Sequence, residues 1–110
     1  MKYPDKQQAI REYIEANYQR SISVQDAAEE MNYSEAYFCR LFRQSFSESF
    51  TRYLARYRVE KAKELLGDYR LYIREVGEAV GYRDSNYFTK VFKRYAGVTP
   101  AEYRERLARR

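Results

Sequence analysis

The chain has 110 residues and a mass of 13.3 kDa, enough for one domain or two very small ones with a modest core. Thirteen tyrosines and six phenylalanines, with no tryptophan, mean that rings must build much of a 45% hydrophobic interior, while a formal charge of +5 weakly favours a polyanionic partner. No histidine and a single cysteine, Cys39, exclude histidine-dependent acid–base chemistry, a His-ligated metal, an internal disulfide and a zinc knuckle, so no metal or cofactor is expected and a reducing, cytoplasmic setting is.

Taken in chain order, the sequence predicts helices and short breaks, with no alternating strand pattern. Met1-Lys2-Tyr3-Pro4-Asp5 is not a signal peptide, and no apolar run approaches membrane-spanning length. Asp5 with Gln8 three residues later resembles a capping box, after which Ile10, Tyr13, Ile14 and Tyr18 recur at helical spacing to an end near residues 17–20. Ser23 with Asp26 starts a short helix whose inward face is Val24, Ala27, Ala28 and Met31. Asn32-Tyr33 is a tight turn, and Ser34 caps the next helix. There Tyr37, Phe38, Leu41 and Phe42 form one apolar stripe, and Ala36, Cys39, Arg40 and Arg43 lie on the opposite face.

Ser49 caps a long helix that Gly67 ends, with Phe50, Tyr53, Leu54, Tyr57, Ala62, Leu65 and Leu66 inward. At 1.5 Å per residue it spans about 25 Å, a stiff spacer. A second short helix begins at Ile73, Gly81-Tyr82 turns, and Asp84 or Ser85 caps a helix with Tyr87, Phe88, Val91, Phe92 and Tyr95 inward. Its outward face is Asn86, Thr89, Lys90 and Lys93. Thr99-Pro100-Ala101-Glu102 combines an N-cap, a proline at the first helical position and a box glutamate, starting a last helix with Tyr103 and Leu107. The expected fold is all-α with about seven helices: a first helix-turn-helix subdomain over residues 1–48, a linker helix over 49–67 and a second subdomain over 68–110.

The chain therefore repeats itself about fifty residues apart, VQDAAEEMNYSEAYFCRLF from Val24 and IREVGEAVGYRDSNYFTKVF from Ile73, with one inserted residue after Tyr82. Charge follows the repeat. Residues 1–39 carry four cations against seven anions, residues 40–58 five against one, residues 59–80 four against five, and residues 81–110 eight against three. Positive charge thus rises at each second helix and just after it. A short helix, a turn and an amphipathic helix with a polar outer stripe meet the requirements of a helix-turn-helix, whose second helix offers small, amide or cationic side chains to base edges.

These residues resemble the AraC/XylS group of bacterial transcription regulators. In the second unit the likeness lies in Val76, Gly81-Tyr82, Asp84, Asn86-Tyr87-Phe88, Val91-Phe92-Lys93-Arg94, Gly97 and Thr99-Pro100-Ala101-Glu102-Tyr103-Arg104. Upstream it lies in Ser34, Tyr37-Phe38, Arg40-Leu41-Phe42, Phe50, Tyr53-Leu54, Arg58 and Ala62-Lys63-Glu64-Leu65-Leu66. The resemblance implies two second helices entering successive major grooves of double-stranded DNA, with Ala36, Cys39 and Arg40, then Ser85, Asn86, Thr89 and Lys90, reading bases. Arg43, Lys93 and Arg94 are then phosphate contacts. Asn86 has two readings, a bidentate adenine contact or a place near a phosphate. RNA polymerase is a further implied partner, as is an N-terminal effector or dimerisation domain, for which two DNA-binding units in this chain leave no room.

Three positions depart from the family pattern. Ser47 stands where the first unit usually has a turn glycine, at a cost of about 1–2 kcal/mol if the backbone there is left-handed. Gly77 replaces the usual alanine, a propensity loss of about 1 kcal/mol, and Tyr72 replaces a small capping residue, so the helix near 73–80 is expected to be short and the least stable. Each feature also has a plainer reading: the tyrosine and phenylalanine stripes as core, a row of cations as a solvated face, Cys39 as a small packing residue, and Arg104, Arg106, Arg109 and Arg110 as a solubilising tail. Recurrence of Arg40 and Arg43 as Lys90 and Lys93 favours function for that face. Two other function classes fit less well: a helical protein–protein adaptor, and a methyl-accepting DNA-repair domain acting through Cys39.

Overall fold

The computed structural model describes residues 5–110; the opening residues 1–4, read above as no signal peptide, lie outside the described residues. Seven helices follow in order: α1 (Lys6–Asn17), α2 (Val24–Glu30), α3 (Glu35–Phe46), α4 (Phe50–Leu66), α5 (Ile73–Ala79), α6 (Ser85–Ala96) and α7 (Pro100–Ala108). The described residues contain no strand. The chain divides into two compact units, one ending at Leu54 and one beginning at Ala55, so the division falls inside α4.

The start signals work through the hydrogen bonds that local chemistry demands. Ser23 Oγ accepts from the Asp26 N–H at 3.0 Å while Asp26 Oδ2 accepts from the Ser23 N–H at 2.9 Å, and Thr99 and Glu102 close the same reciprocal box at 3.1 and 3.0 Å. Ser34 and Ser49 accept from the N–H groups of Tyr37 and Arg52. Of the two caps open for α6, Asp84 is used, accepting from Asn86 and Tyr87 N–H at 2.9 and 3.3 Å. The box at α1 is different from expectation. Asp5 accepts from Gln7 N–H, and Gln8 instead donates along the helix to Glu12, so Gln8 closes nothing.

Each helix-turn-helix turn is the same Schellman motif. Asn32 (φ 62°) and Gly81 (φ 107°) are left-handed, and the tyrosine after each donates its N–H back across the turn, Tyr33 to Ala28 O at 2.9 Å and Tyr82 to Gly77 O at 2.8 Å. The exits of α3 and α6 are left-handed too, at Ser47 (φ 61°) and Gly97 (φ 83°). Serine therefore holds a conformation that its Cβ disfavours. Ser47→Gly should raise unfolding free energy by about 0.5–1 kcal/mol, the relieved strain less the extra freedom of unfolded glycine, as read from a urea midpoint. Gly67, by contrast, is not left-handed: α4 ends in tight turns in which Gly67 N–H reaches Glu64 O and Asp68 N–H reaches Leu65 O.

In the first unit the core is Ile10, Tyr13 and Ile14 of α1, Ala27 and Ala28 of α2, Phe38 and Phe42 of α3, and Phe50 and Leu54 of α4. Phe50 meets Phe38 and Phe42 edge-on, both at 5.6 Å. In the second unit Val59, Ala62 and Leu66 of α4 surround Val76, Val80, Tyr82, Phe88, Val91, Phe92 and Pro100. Phe38–Phe42 and Phe88–Phe92 lie at the same 5.9 Å centroid spacing but at interplanar angles of 40° and 63°, so the spacing is copied and the ring orientation is not.

Gly77 takes a different meaning in the fold. A Cβ there would lie 2.8 Å from Cδ2, 2.9 Å from Cγ and 3.2 Å from Cβ of Phe88, a fully buried ring. The corresponding pair in the first unit is Ala28 and Phe38, preceded by Ala27 where the second unit has Val76. The missing methyl at Gly77 is thus a packing requirement of Phe88. Gly77→Ala should lower stability by about 1–2 kcal/mol despite its gain in helix propensity, since overpacking the ring outweighs it. A raised urea midpoint would contradict this. α5 is short, as expected, and Tyr72 supplies no side-chain cap; Glu75 alone reaches back, accepting from Tyr72 N–H at 2.8 Å.

Three further residues sit otherwise than their sequence pattern suggests. Tyr87, placed in the inward stripe, is 56% exposed, and its ring meets that of Tyr82 at 5.8 Å and 62°. Arg58 is buried at 8% exposure, its guanidinium hydrogen-bonded to Tyr82 and 5.1 Å from that ring's centroid. Burial pushes the Tyr82 phenol up, and Arg58 opposes that shift. Arg104 is no tail residue: it donates to the carbonyls of Leu66, Asp68 and Leu71 at 3.0, 3.1 and 2.8 Å. Of the other three, Arg109 pairs with Glu105, and Arg106 and Arg110 are exposed.

Candidate nucleic-acid interface

Within the first unit, α1 holds α3 near both of its ends. Lys6 Nζ donates to the Tyr37 hydroxyl at 3.0 Å in the first turn of α3, Gln7 Nε2 donates to Ser45 O at 2.9 Å in the last, and Arg11 lies over the Phe46 ring. Buried Phe38 and Phe42 fix the rotation of α3 about its axis. What remains outward is Ala36, Cys39, Arg40 and Arg43, all four exposed. Neither guanidinium enters an ion pair or hydrogen bond among the described residues.

Within the second unit, Gly77 and Tyr82 hold Phe88, and Tyr103 of α7 meets Phe92 edge-on at 5.7 Å. With α6 so fixed, Ser85, Asn86, Lys90, Lys93 and Arg94 are exposed, and none of the three cations is ion-paired among the described residues. Thr89 is half-buried, and its hydroxyl donates to Ser85 O at 3.0 Å within the helix. That leaves its methyl group and an oxygen lone pair to face a partner. Cations away from these faces are mostly engaged: Lys63 with Glu60 at 2.8 Å, Arg70 with Asp68 at 2.9 Å, Arg104 with three carbonyls. Of the exposed cations with no ion pair, side-chain hydrogen bond or ring contact among the described residues, Arg40, Arg43, Lys90, Lys93 and Arg94 lie on these faces, and Arg52, Arg83, Arg106 and Arg110 lie elsewhere.

The ten predicted contact residues fall into two groups of matching register on α3 and α6, each within its own unit. Two exposed residues near these groups were not singled out by the sequence reading. Arg83 is exposed in the turn before α6, and its signal was available, because it is the inserted residue with no counterpart in the first copy. Tyr87 had no such signal, since its sequence register is that of half-buried Tyr37. Among the described residues no cluster of His, Cys, Asp and Glu could hold a metal ion, and no helix is long and apolar enough to cross a membrane.

Comparison with known proteins agrees with this fold. A family model described as a helix-turn-helix domain matches residues 27–106. The chain is 37% identical over 97 residues to the uncharacterised HTH-type transcriptional regulator YijO of Escherichia coli K12, covering 88% of this chain and 34% of YijO. It is 33% identical over 98 residues to the Msm operon regulatory protein of Streptococcus mutans, covering 89% and 35%. The chain thus spans about a third of the length of these relatives. Among solved structures, the DNA-binding domain of the global transcriptional factor AdpA in complex with a target DNA superposes with a TM-score of 0.90 at 26% identity, covering 97% of each chain. The C-terminal domain of the response regulator yesN from Fusobacterium nucleatum gives 0.85 at 36% identity, covering 88% of this chain and 95% of that one.

Proposed function

The chain belongs to the AraC-type helix-turn-helix family, and from that premise we propose that it is the sequence-specific double-stranded-DNA-binding part of a transcription regulator. The observation that carries this is the pair of outward stripes on α3 and α6, alike in register, largely exposed, and bearing cations that form no ion pair among the described residues. Each helix enters a major groove, with α4 joining the two units. Ala36, Cys39 and Arg40 face bases in one groove, Ser85, Asn86, Thr89 and Lys90 in the other, and Arg43, Lys93 and Arg94 hold phosphates. Ala36 supplies apolar contact, as to a thymine methyl. Because the stripes differ in chemistry although their scaffolds match, the two half-sites differ in sequence. RNA polymerase, and a separate effector or dimerisation domain, complete the proposed setting.

Selection of bound duplexes from a random pool, at a fixed and stated salt concentration, tests this. The expected result is an asymmetric motif with two unlike halves centred about 10 base pairs apart, and an affinity that falls steeply with added salt. Absence of any enriched motif, or binding indifferent to salt, would favour a protein-binding role for these faces.

A further inference from the structure

We propose that Tyr87 of α6 and Tyr37 of α3 are phosphate contacts, each donating its phenolic proton to the DNA backbone beside its recognition helix; this rests on the DNA-binding reading above. Both tyrosines directly follow a residue of the outward stripe in the first turn of their helix, Asn86 and Ala36. Helical spacing at i, i+3 and i+7 then sets Tyr87 on one flank with Lys90 and Arg94, and Tyr37 with Arg40 and Gln44. A hydroxyl in such a row stands beside cations that face the same polyanion. Tyrosine hydroxyls are ordinary phosphate donors, and a bond to an anionic oxygen is stronger than one between neutral groups.

Two repeated details of the fold prepare the rings for this. In each unit the tyrosine of the turn supports the tyrosine of the helix edge-on, Tyr33 against Tyr37 at 4.9 Å and 72°, Tyr82 against Tyr87 at 5.8 Å and 62°. A supported ring has little rotamer freedom left to lose when it binds. The hydroxyl protons are also uncommitted. Tyr87 is 56% exposed and its hydroxyl enters no hydrogen bond among the described residues. Tyr37 is half-buried, and its oxygen accepts from Lys6 Nζ, which leaves the phenolic proton to be given outward. A cation on the oxygen polarises that O–H and makes it the better donor. Lys6 itself is pushed up in pKa by the same hydrogen bond, so it stays charged at neutral pH.

The test uses the full chain with a duplex recovered by the selection described above. Tyr87→Phe and Tyr37→Phe keep the rings and remove only the hydroxyls. Each should weaken binding by about fivefold to tenfold, by the same factor on the selected and on an unrelated duplex, with the thermal midpoint unchanged. The dependence of log affinity on log salt should keep its slope, because no counterion-releasing charge is lost, whereas Arg94→Ala should reduce that slope by about one. On a duplex series with single methylphosphonate linkages, one position should abolish the Tyr87→Phe penalty. Phenylalanine variants that bind within about twofold of the parent, while the parent still selects its motif, would overturn the proposal and leave the DNA reading intact. A changed motif would make the tyrosines base readers and overturn the phosphate assignment. A parent chain that selects no duplex would remove both.

Discussion

Replacing Arg104 with alanine should lower the unfolding free energy by about 3 kcal/mol, a large share of what a unit of this size holds at roughly 0.05–0.15 kcal/mol per residue. Its guanidinium spreads three hydrogen bonds over the carbonyls of Leu66, Asp68 and Leu71, which belong to the end of α4 and the turn leading to α5. A single bond from a charged donor is worth about 1.5–3 kcal/mol, and the sum of three is reduced because water reaches these partly buried carbonyls once the side chain is gone. The charge also faces the negative end of α4, which adds to the effect. Lysine should not restore it. A point charge with three tetrahedral donors does not reproduce a planar fork spanning three carbonyls, so Arg104→Lys is expected to recover less than half of the loss. Urea unfolding of the three proteins decides the matter, and an alanine variant within about 0.5 kcal/mol of the parent would mean that water serves these carbonyls equally well. The neighbouring Asp68 carboxyl is held down to about 2, chiefly by its hydrogen bonds from Arg70. Its contribution to this turn is therefore complete above its ordinary value of 3.8 and is lost as pH falls through about 2.

Arg40→Ala should relax the selected DNA motif at one position and weaken binding to the parent's site by about 1–3 kcal/mol, roughly fivefold to 150-fold. Arg40 is exposed on the outward face of α3, free of ion pairs among the described residues, and its fork matches the two acceptors of a guanine edge. Lys90, at the same register of α6, can offer only a point charge, so Lys90→Ala should cost less and relax a position in the other half-site. Arg43→Ala should behave differently from both. A phosphate contact carries no sequence information, so the motif should survive while affinity falls uniformly and the salt slope drops by about one. If Arg40→Ala and Arg43→Ala shift the motif alike, or neither shifts it, the division between base and phosphate contacts on α3 is wrong.

Most of the scaffold was legible because local chemistry governs it. Ser23 with Asp26 and Thr99 with Glu102 close their boxes within four residues of chain, and the αL turn at Gly81 is repeated at Asn32, so period and punctuation suffice to place seven helices. The strain at Ser47 was legible as a condition, since alignment with Gly97 marks a position where a left-handed backbone would cost serine, and the φ of 61° meets that condition. The outward stripes were legible through the repeat, which marks a face as outward twice.

What escaped was set by neighbours distant in sequence. Gly77 reads locally as a helix defect and proves to be the space for Phe88, eleven residues on. Arg104 reads as one of a cluster of terminal cations until the carbonyls of the turn after α4, more than thirty residues earlier, are seen to need a donor. Tyr37 and Tyr87 occupy the same register, yet Lys6 lies against the first, and only the second is mostly exposed. The sequence by itself determined the helices, the caps at Ser23, Ser34, Ser49 and Thr99, and the two outward faces, because hydrogen-bond satisfaction and hydrophobic period act within a few residues. Only the tertiary structure decided which glycine is a packing requirement, which arginine is structural and how each tyrosine hydroxyl is left to give its proton, because steric exclusion and donor–acceptor pairing depend on what folding brings beside each side chain.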